Sequence, residues 1–208
     1  MDFDDLFDNN KGFMTRNGDV RKPNDIMTFF QLVAVTFQCA SQVQFGGIAS
    51  AKIDYEGAKY VDITFKKEFK EALIDLFDLS EEEIKDIIEK YCDIIKLENK
   101  ELQEKFPKVY KMAKRRTEKK TMQGAESLFH NLNTLESRAG SQVPFTSINF
   151  GTDISPEGRL VSKCLLQASI NGIGKFNRTS IFPISIFKYA KGINDKEGTP
   201  NYDLKLLA

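Results

Sequence analysis

Apolar positions change their rhythm three times along this chain. Residues 1–24 hold no sustained period, and their one local signal is Arg16-Asn17-Gly18-Asp19. Asn-Gly tolerates the positive φ angles of a tight turn, so a hairpin is expected there. Asn24 or Asp25 can then cap a helix that runs to about Gln44. The segment Ile26-Met27-Thr28-Phe29-Phe30-Gln31-Leu32-Val33-Ala34-Val35-Thr36-Phe37-Gln38-Cys39-Ala40-Ser41 is apolar on all sides. Its β-branched content makes strand a rival, but it is longer than strands usually are, which favours a helix covered on several sides. Gly46-Gly47 ends it.

From Tyr55 to about Leu135 the chain is dominated by Lys, Glu, Leu and Ile and contains one proline, Pro107. Ile84, Ile87, Ile88, Tyr91, Ile94 and Ile95 form one apolar stripe. Ser80 with Glu83 is a capping box for the helix beneath it. Met122, Ala125, Leu128, Phe129, Leu132 and Leu135 form another stripe at helical spacing. Such stripes are ordinary packing faces, and several in one region predict helices packed on one another or on a partner.

The last third predicts strand, helix, strand. Pro144-Phe145-Thr146-Ser147-Ile148-Asn149-Phe150 reads as a strand closed by Gly151. Ser155 caps a helix begun at Pro156 and stopped by Gly172 and Gly174. Ser180-Ile181-Phe182-Pro183-Ile184-Ser185-Ile186-Phe187 gives a second strand, weakened at its start by the proline. The spacing allows a crossover, so the two strands are expected to be parallel neighbours. A helix beginning at Asp203 has about one turn before Ala208, too little to stand alone, so the sequence reads as cut short there.

Composition narrows the function classes. With 30 basic and 30 acidic side chains the net charge is zero. The Lys-rich run Lys111–Lys120 is interleaved with Met112, Ala113 and Glu118, and reads as a solvated helix face. A nucleic-acid surface is therefore not expected, and near-neutrality favours self-association or a partner. No apolar stretch is judged to approach the roughly 20 residues of a membrane span. Met1-Asp2-Phe3-Asp4-Asp5 is acidic where a secretory leader is basic. A cytoplasmic protein without a membrane partner is expected. Cys39, Cys92 and Cys164 are widely spaced and form no CxxC pair, so each is expected to be a buried structural thiol and none a metal ligand. His130 is the only histidine, and no Ser/His/Asp set can be picked out.

Several runs resemble the catalytic subunit of anaerobic (class III) ribonucleoside-triphosphate reductases, which are glycyl-radical enzymes. They are Cys39-Ala40-Ser41-Gln42-Val43-Gln44-Phe45-Gly46-Gly47, Arg138-Ala139-Gly140-Ser141-Gln142-Val143-Pro144-Phe145-Thr146-Ser147-Ile148-Asn149-Phe150-Gly151, Ile181-Phe182-Pro183 and Pro200-Asn201-Tyr202-Asp203-Leu204. The resemblance extends over essentially the whole chain. It implies an α/β fold, part of a ten-stranded α/β barrel of the glycyl-radical type with a long helical insertion. Residues 25–135 would be the mainly helical dimer and effector region, and residues 144–208 a βαβ barrel segment.

The same resemblance implies reduction of ribonucleoside triphosphates to deoxyribonucleoside triphosphates by glycyl and thiyl radicals. The complete enzyme would use a glycyl radical, formate, a four-cysteine zinc site and ATP or deoxynucleotide effectors. Its partners would be a second copy, the remainder of the subunit and an S-adenosylmethionine iron–sulfur activase. Cys39, Cys92 and Cys164 match none of the family's radical or zinc cysteines, so no catalytic residue is assigned and the isolated chain is expected to be inactive. Lys67 falls on the position that contacts effector phosphates, and Asn131 where a carboxylate occurs in a better-known branch of the family. Ser147 or Asn149 would face the substrate chamber. The alternative is an effector-nucleotide-binding or dimerisation module without catalysis.

Overall fold

Asp25 accepts a hydrogen bond from the Thr28 amide at 2.7 Å and so opens helix α1 (Ile26–Val43), satisfying an amide that the first turn leaves without a partner. This computed structural model describes residues 1–9, 12–15, 18–44, 46–77, 79–136 and 142–208. Arg16 and Asn17 of the expected hairpin turn lie outside them, as do Phe45 and residues 138–141 of the resembling runs. The flanking strands β1 (Gly12–Thr15) and β2 (Gly18–Arg21) pair antiparallel, with Thr15 opposite Gly18.

α1 is 18 residues long and reaches the length and apolarity of a membrane span, which corrects the expectation that no stretch approaches that mark. It is nevertheless a core helix. Phe29, Phe30, Val33 and Phe37 are fully buried, and Phe29 stacks on Tyr60 with ring centroids 4.8 Å apart. Such a pair adds about 0.5–1.5 kcal/mol beyond its buried area. Phe3 and Phe7 close over the same cluster from the amino-terminal segment.

Two long helices complete the core, α2 (Ile53–Leu76) and α5 (Pro107–Thr134). α5 packs on both α1 and α2. Gly124 permits the approach to α1: a Cβ there would stand 2.8 Å from the Phe30 ring and 3.4 Å from Met27 Cα. Between α2 and α5 lie α3 (Glu81–Tyr91), which carries the expected Ser80–Glu83 capping box, and α4 (Lys100–Lys105), capped by Asn99. The Lys-rich run of α5 is the solvated face the sequence predicts, tied at its edge to α2 by Lys120–Glu68 at 2.5 Å and Arg116–Asp75 at 2.7 Å.

β3 (Ile48–Ser50), β4 (Thr146–Phe150) and β5 (Ile184–Phe187) form a sheet in that order, all parallel. The expected parallel pairing of β4 with β5 is present, joined through α6 (Pro156–Asn171), which is capped by Ser155 and ends at Gly172. β3 is an addition that the sequence did not announce. α2 lies against β4 and α1 against β3, so the helices back one side of the sheet. α7 (Tyr202–Leu207) closes the chain. The architecture is mixed α/β, and no closed barrel is formed among the described residues.

Candidate functional site

Alternation along β4 decides which side chains lie on the open face of the sheet. Thr146, Ile148 and Phe150 are buried at 2%, 0% and 1% exposure and point to the helices. Ser147 and Asn149 therefore point to the other face, since successive strand residues alternate. The register places Ala49 and Ile184 on either side of Ser147, and Ile186 beside Asn149. Ile184 and Ile186 are 56% and 43% exposed, so this face is open. The Asn149 amide donates to Ser50 O at 2.8 Å, which orients it across β3. The Ser147 hydroxyl makes no hydrogen bond among the described residues, while its backbone pairs in the sheet. The structure thus brings together the two residues between which the sequence left the choice open.

The carboxyl end of β4 is organised around Gly151, where ligands of open α/β sheets commonly sit. Here most polar groups are already engaged within the chain, although Asp54 Oδ1 is buried with no hydrogen-bond partner among the described residues. Asp54, fully buried in the first turn of α2, accepts the amides of Gly151, Thr152 and Asp153 through one oxygen at 2.8, 3.1 and 3.1 Å. The Gly151 carbonyl in turn accepts from the buried amides of Asn194 and Asn201, each at 3.1 Å. Arg159 reaches Asn201 Oδ1 at 2.6 Å and grips Asp203 with two bonds of 3.0 and 2.8 Å. Gly151 has φ of 107° and a Cβ would stand 2.6 Å from the Phe187 ring, so no other residue fits this junction. Asp54, Asn194 and Asn201 were missed by sequence reasoning; only the run Pro200–Leu204 drew notice to this end.

The helical candidates are placed differently. Lys67 is exposed on α2 and has no ion pair among the described residues, whereas Lys66 is held by Asp62 at 2.6 Å. Asn131 is half-buried on α5; its amide lies 3.5 Å from Ser127 Oγ and its carbonyl accepts from Gln38 at 3.4 Å. The Lys120–Glu68 pair sets the level of Lys67 beside α5. Asn131 lies eleven residues beyond Lys120, about 16 Å along the helix axis at 1.5 Å per residue. Within one chain the two residues are not brought together.

The thiols divide. Cys164 is buried, and desolvation pushes it up to about 12, as an inert core thiol should be. Cys39 is half-buried and Cys92 is exposed, which corrects the expectation of three buried thiols. The apolar stripe that suggested burial for Cys92 runs past the end of α3 at Tyr91, and Cys92 is the helix's C-cap. The three thiols lie on different elements, and the cysteines are not among the clustered ligand groups of the described residues. That clustered set is Asp2, Asp4 and Glu56, with oxygens within 4.8 Å of one another. Lys52 pairs with Asp2 and Asp4, and Lys59 with Asp4.

Glu56 is the buried member of that set. It accepts from Phe3 N at 2.7 Å and Ser50 Oγ at 3.0 Å, yet burial pushes its carboxyl from 4.5 up to about 7. A pKa raised in the folded state means that folding favours the protonated form. The contribution is fully present below pH 4.5 and lost as pH rises to about 7. Its size is on the order of 3 kcal/mol. Asp2, Asp4 and Asp8 are shifted down, so their effect falls below this window. Glu157 is raised by burial too, so the comparison must be between proteins. We expect the urea midpoint of the wild type to decline between pH 5 and 8 and Glu56→Gln to flatten that decline. Parallel pH profiles for the two proteins would refute it.

Three parallel strands backed by helices on one face, with Ser147 and Asn149 on the open face, define an α/β protein of the helix-backed parallel-sheet class. Residues 1–208 match the family model for anaerobic ribonucleoside-triphosphate reductase, and the chain belongs to that family. It is 32% identical over 201 residues to the anaerobic ribonucleoside-triphosphate reductase of Haemophilus influenzae, covering 95% of this chain and 24% of the relative. The Salmonella typhimurium enzyme of that name is 33% identical with the same coverage. The enzyme of bacteriophage T4 is 29% identical over 198 residues, covering 95% of this chain and 28% of the relative. The chain spans about a quarter of the length of these curated relatives.

Proposed function

We propose that this chain is the part of an anaerobic ribonucleoside-triphosphate reductase that builds one wall of the substrate chamber and the effector surface. Its three parallel strands are a segment of the ten-stranded barrel, and residues 25–135 are the helical insertion. The observation that carries this reading is the register of β4, which turns Ser147 and Asn149 toward the open face in a chain matched throughout by the family model. A hydroxyl and an amide there suit the hydroxyls of a ribose, each supplying both donor and acceptor. The glycyl radical, formate and zinc belong to the remainder of the subunit, and the S-adenosylmethionine iron–sulfur activase is a separate partner. The assembly acts in the cytoplasm.

Lys67 contacts effector phosphates and Asn131 the effector's base or ribose. The two are about 16 Å apart along α5 in one chain, and a nucleotide lying between two copies would take Lys67 from one and Asn131 from the other, which makes the homodimer part of the site. A triphosphate needs several donors, and one unpaired lysine is a partial site until a second subunit completes it. We expect Lys67→Ala to weaken deoxynucleoside triphosphate binding by about 1.5–3 kcal/mol, as for other hydrogen bonds to charged groups. Helical content should stay unchanged, since alanine is a good helix former. Titration calorimetry on both proteins, with sedimentation at matching concentrations, tests this. Equal affinities would remove Lys67 from the site.

A further inference from the structure

Asn133 joins two parts of the molecule that the sequence keeps far apart. Its Oδ1 accepts the amides of Ile181 at 2.8 Å and Phe182 at 3.1 Å. Its Nδ2 donates to the Phe182 carbonyl and, at 2.6 Å, to Phe129 O one turn back on α5. One side chain on the last turn of α5 therefore holds backbone groups of Ile181 and Phe182, 48 and 49 residues away, from three successive peptide units. That segment leads directly into β5, whose Ile184 and Ile186 stand beside Ser147 and Asn149 on the open face. Asn131 lies two residues earlier. Two residues turn an α-helix through about 200°, so Asn131 and Asn133 leave α5 on nearly opposite sides.

We propose that Asn133 is a positioning residue that couples effector nucleotide at the α2 and α5 surface to the placement of β5 in the substrate chamber. The inference rests on the effector and chamber assignments above. A small rotation or slide of α5 on nucleotide binding moves Asn133, and its bonds carry that displacement to the start of β5. At the β5 entry Ile181 is 71% exposed and is held through its amide by Asn133, while the buried Phe182 ring packs on Phe145 with centroids 5.2 Å apart. Because the clamp grips backbone, it moves the strand as a unit instead of one side chain. Coupling of this kind is a reciprocal linkage between two binding equilibria.

The test uses a full-length reductase subunit that contains this segment, without radical activation, so that binding alone is read. Each deoxynucleoside triphosphate is titrated by calorimetry with and without a saturating ribonucleoside triphosphate. The wild type should show a linkage factor within the roughly 5–150-fold range typical of allosteric pairs. Asn133→Ala should reduce it to less than about 2-fold while each nucleotide alone binds as in the wild type. Asn133→Asp keeps the acceptor for both amides, which protects the fold, but sets a carboxylate oxygen against the Phe182 carbonyl; its linkage should fall at least about threefold. A purely structural role would lower stability and leave the linkage of the folded protein unchanged. Wild-type linkage in either folded variant overturns the proposal. Two nucleotides that bind the wild type without linkage overturn it while leaving the binding assignments standing, and a wild type that binds no effector overturns both.

Discussion

Asp54→Ala is expected to lose about 3–5 kcal/mol of folding stability, because three amides converge on the oxygen it removes. Gly151, Thr152 and Asp153 all donate to Asp54 Oδ2, and Asp54 itself is fully buried. Each amide left without an acceptor away from water costs about 1–3 kcal/mol, and the three are not additive because the loop relaxes as a unit. The carboxylate also sits in the first turn of α2, where the helix macrodipole favours negative charge. A loss of this size is a large share of the roughly 5–15 kcal/mol that holds a folded domain. Asp54→Asn retains an oxygen of the same reach and should lose less than the alanine variant. Urea unfolding followed by circular dichroism measures both. An Asp54→Ala midpoint within about 1 kcal/mol of the wild type would show that water can replace the carboxylate at this turn.

The contrast between legible and hidden features follows from the distance over which each is determined. Asp25, Ser80, Glu83, Ser155 and Pro156 act on amides within one turn, and the elements they open are where the sequence places them. The pairing of β4 with β5 was legible because a helix of crossover length separates them. β3 was not, because three residues show no period and its partner is Thr146–Ile148, some hundred positions later. Asp54, Asn133, Asn194 and Asn201 share that difficulty: each bonds to backbone far along the chain, and backbone leaves no mark in the sequence. The burial of Glu56 was hidden for a related reason, since the amino-terminal segment that covers it comes from 53 residues earlier. Cys92 was misread because an apolar stripe was followed beyond the helix that gave it meaning.

Lys67, Asn131, Ser147 and Asn149 entered through the family resemblance, and composition or spacing would not have singled them out. For Ser147 and Asn149 the structure adds the face on which they lie. For Lys67 and Asn131 it adds an axial separation of about 16 Å within one chain.

The largest effect concerns the reaction itself. Abstraction of hydrogen from a ribose needs a thiyl radical at the sugar, a radical reservoir, a reductant and a chamber closed to solvent. The open face offers a wall for such a chamber, but Ile184 and Ile186 are half exposed on it, and none of the three cysteines opens onto it from β3, β4 or β5. On the proposed reading, that wall requires the rest of the subunit. The most direct measurement is anoxic conversion of a ribonucleoside triphosphate to its deoxy product with activase, S-adenosylmethionine and formate. Residues 1–208 alone are compared with a subunit of the relatives' full length that contains them. The account predicts product from the longer subunit and none from residues 1–208; product from residues 1–208 alone, or none from the activated longer subunit, would contradict it.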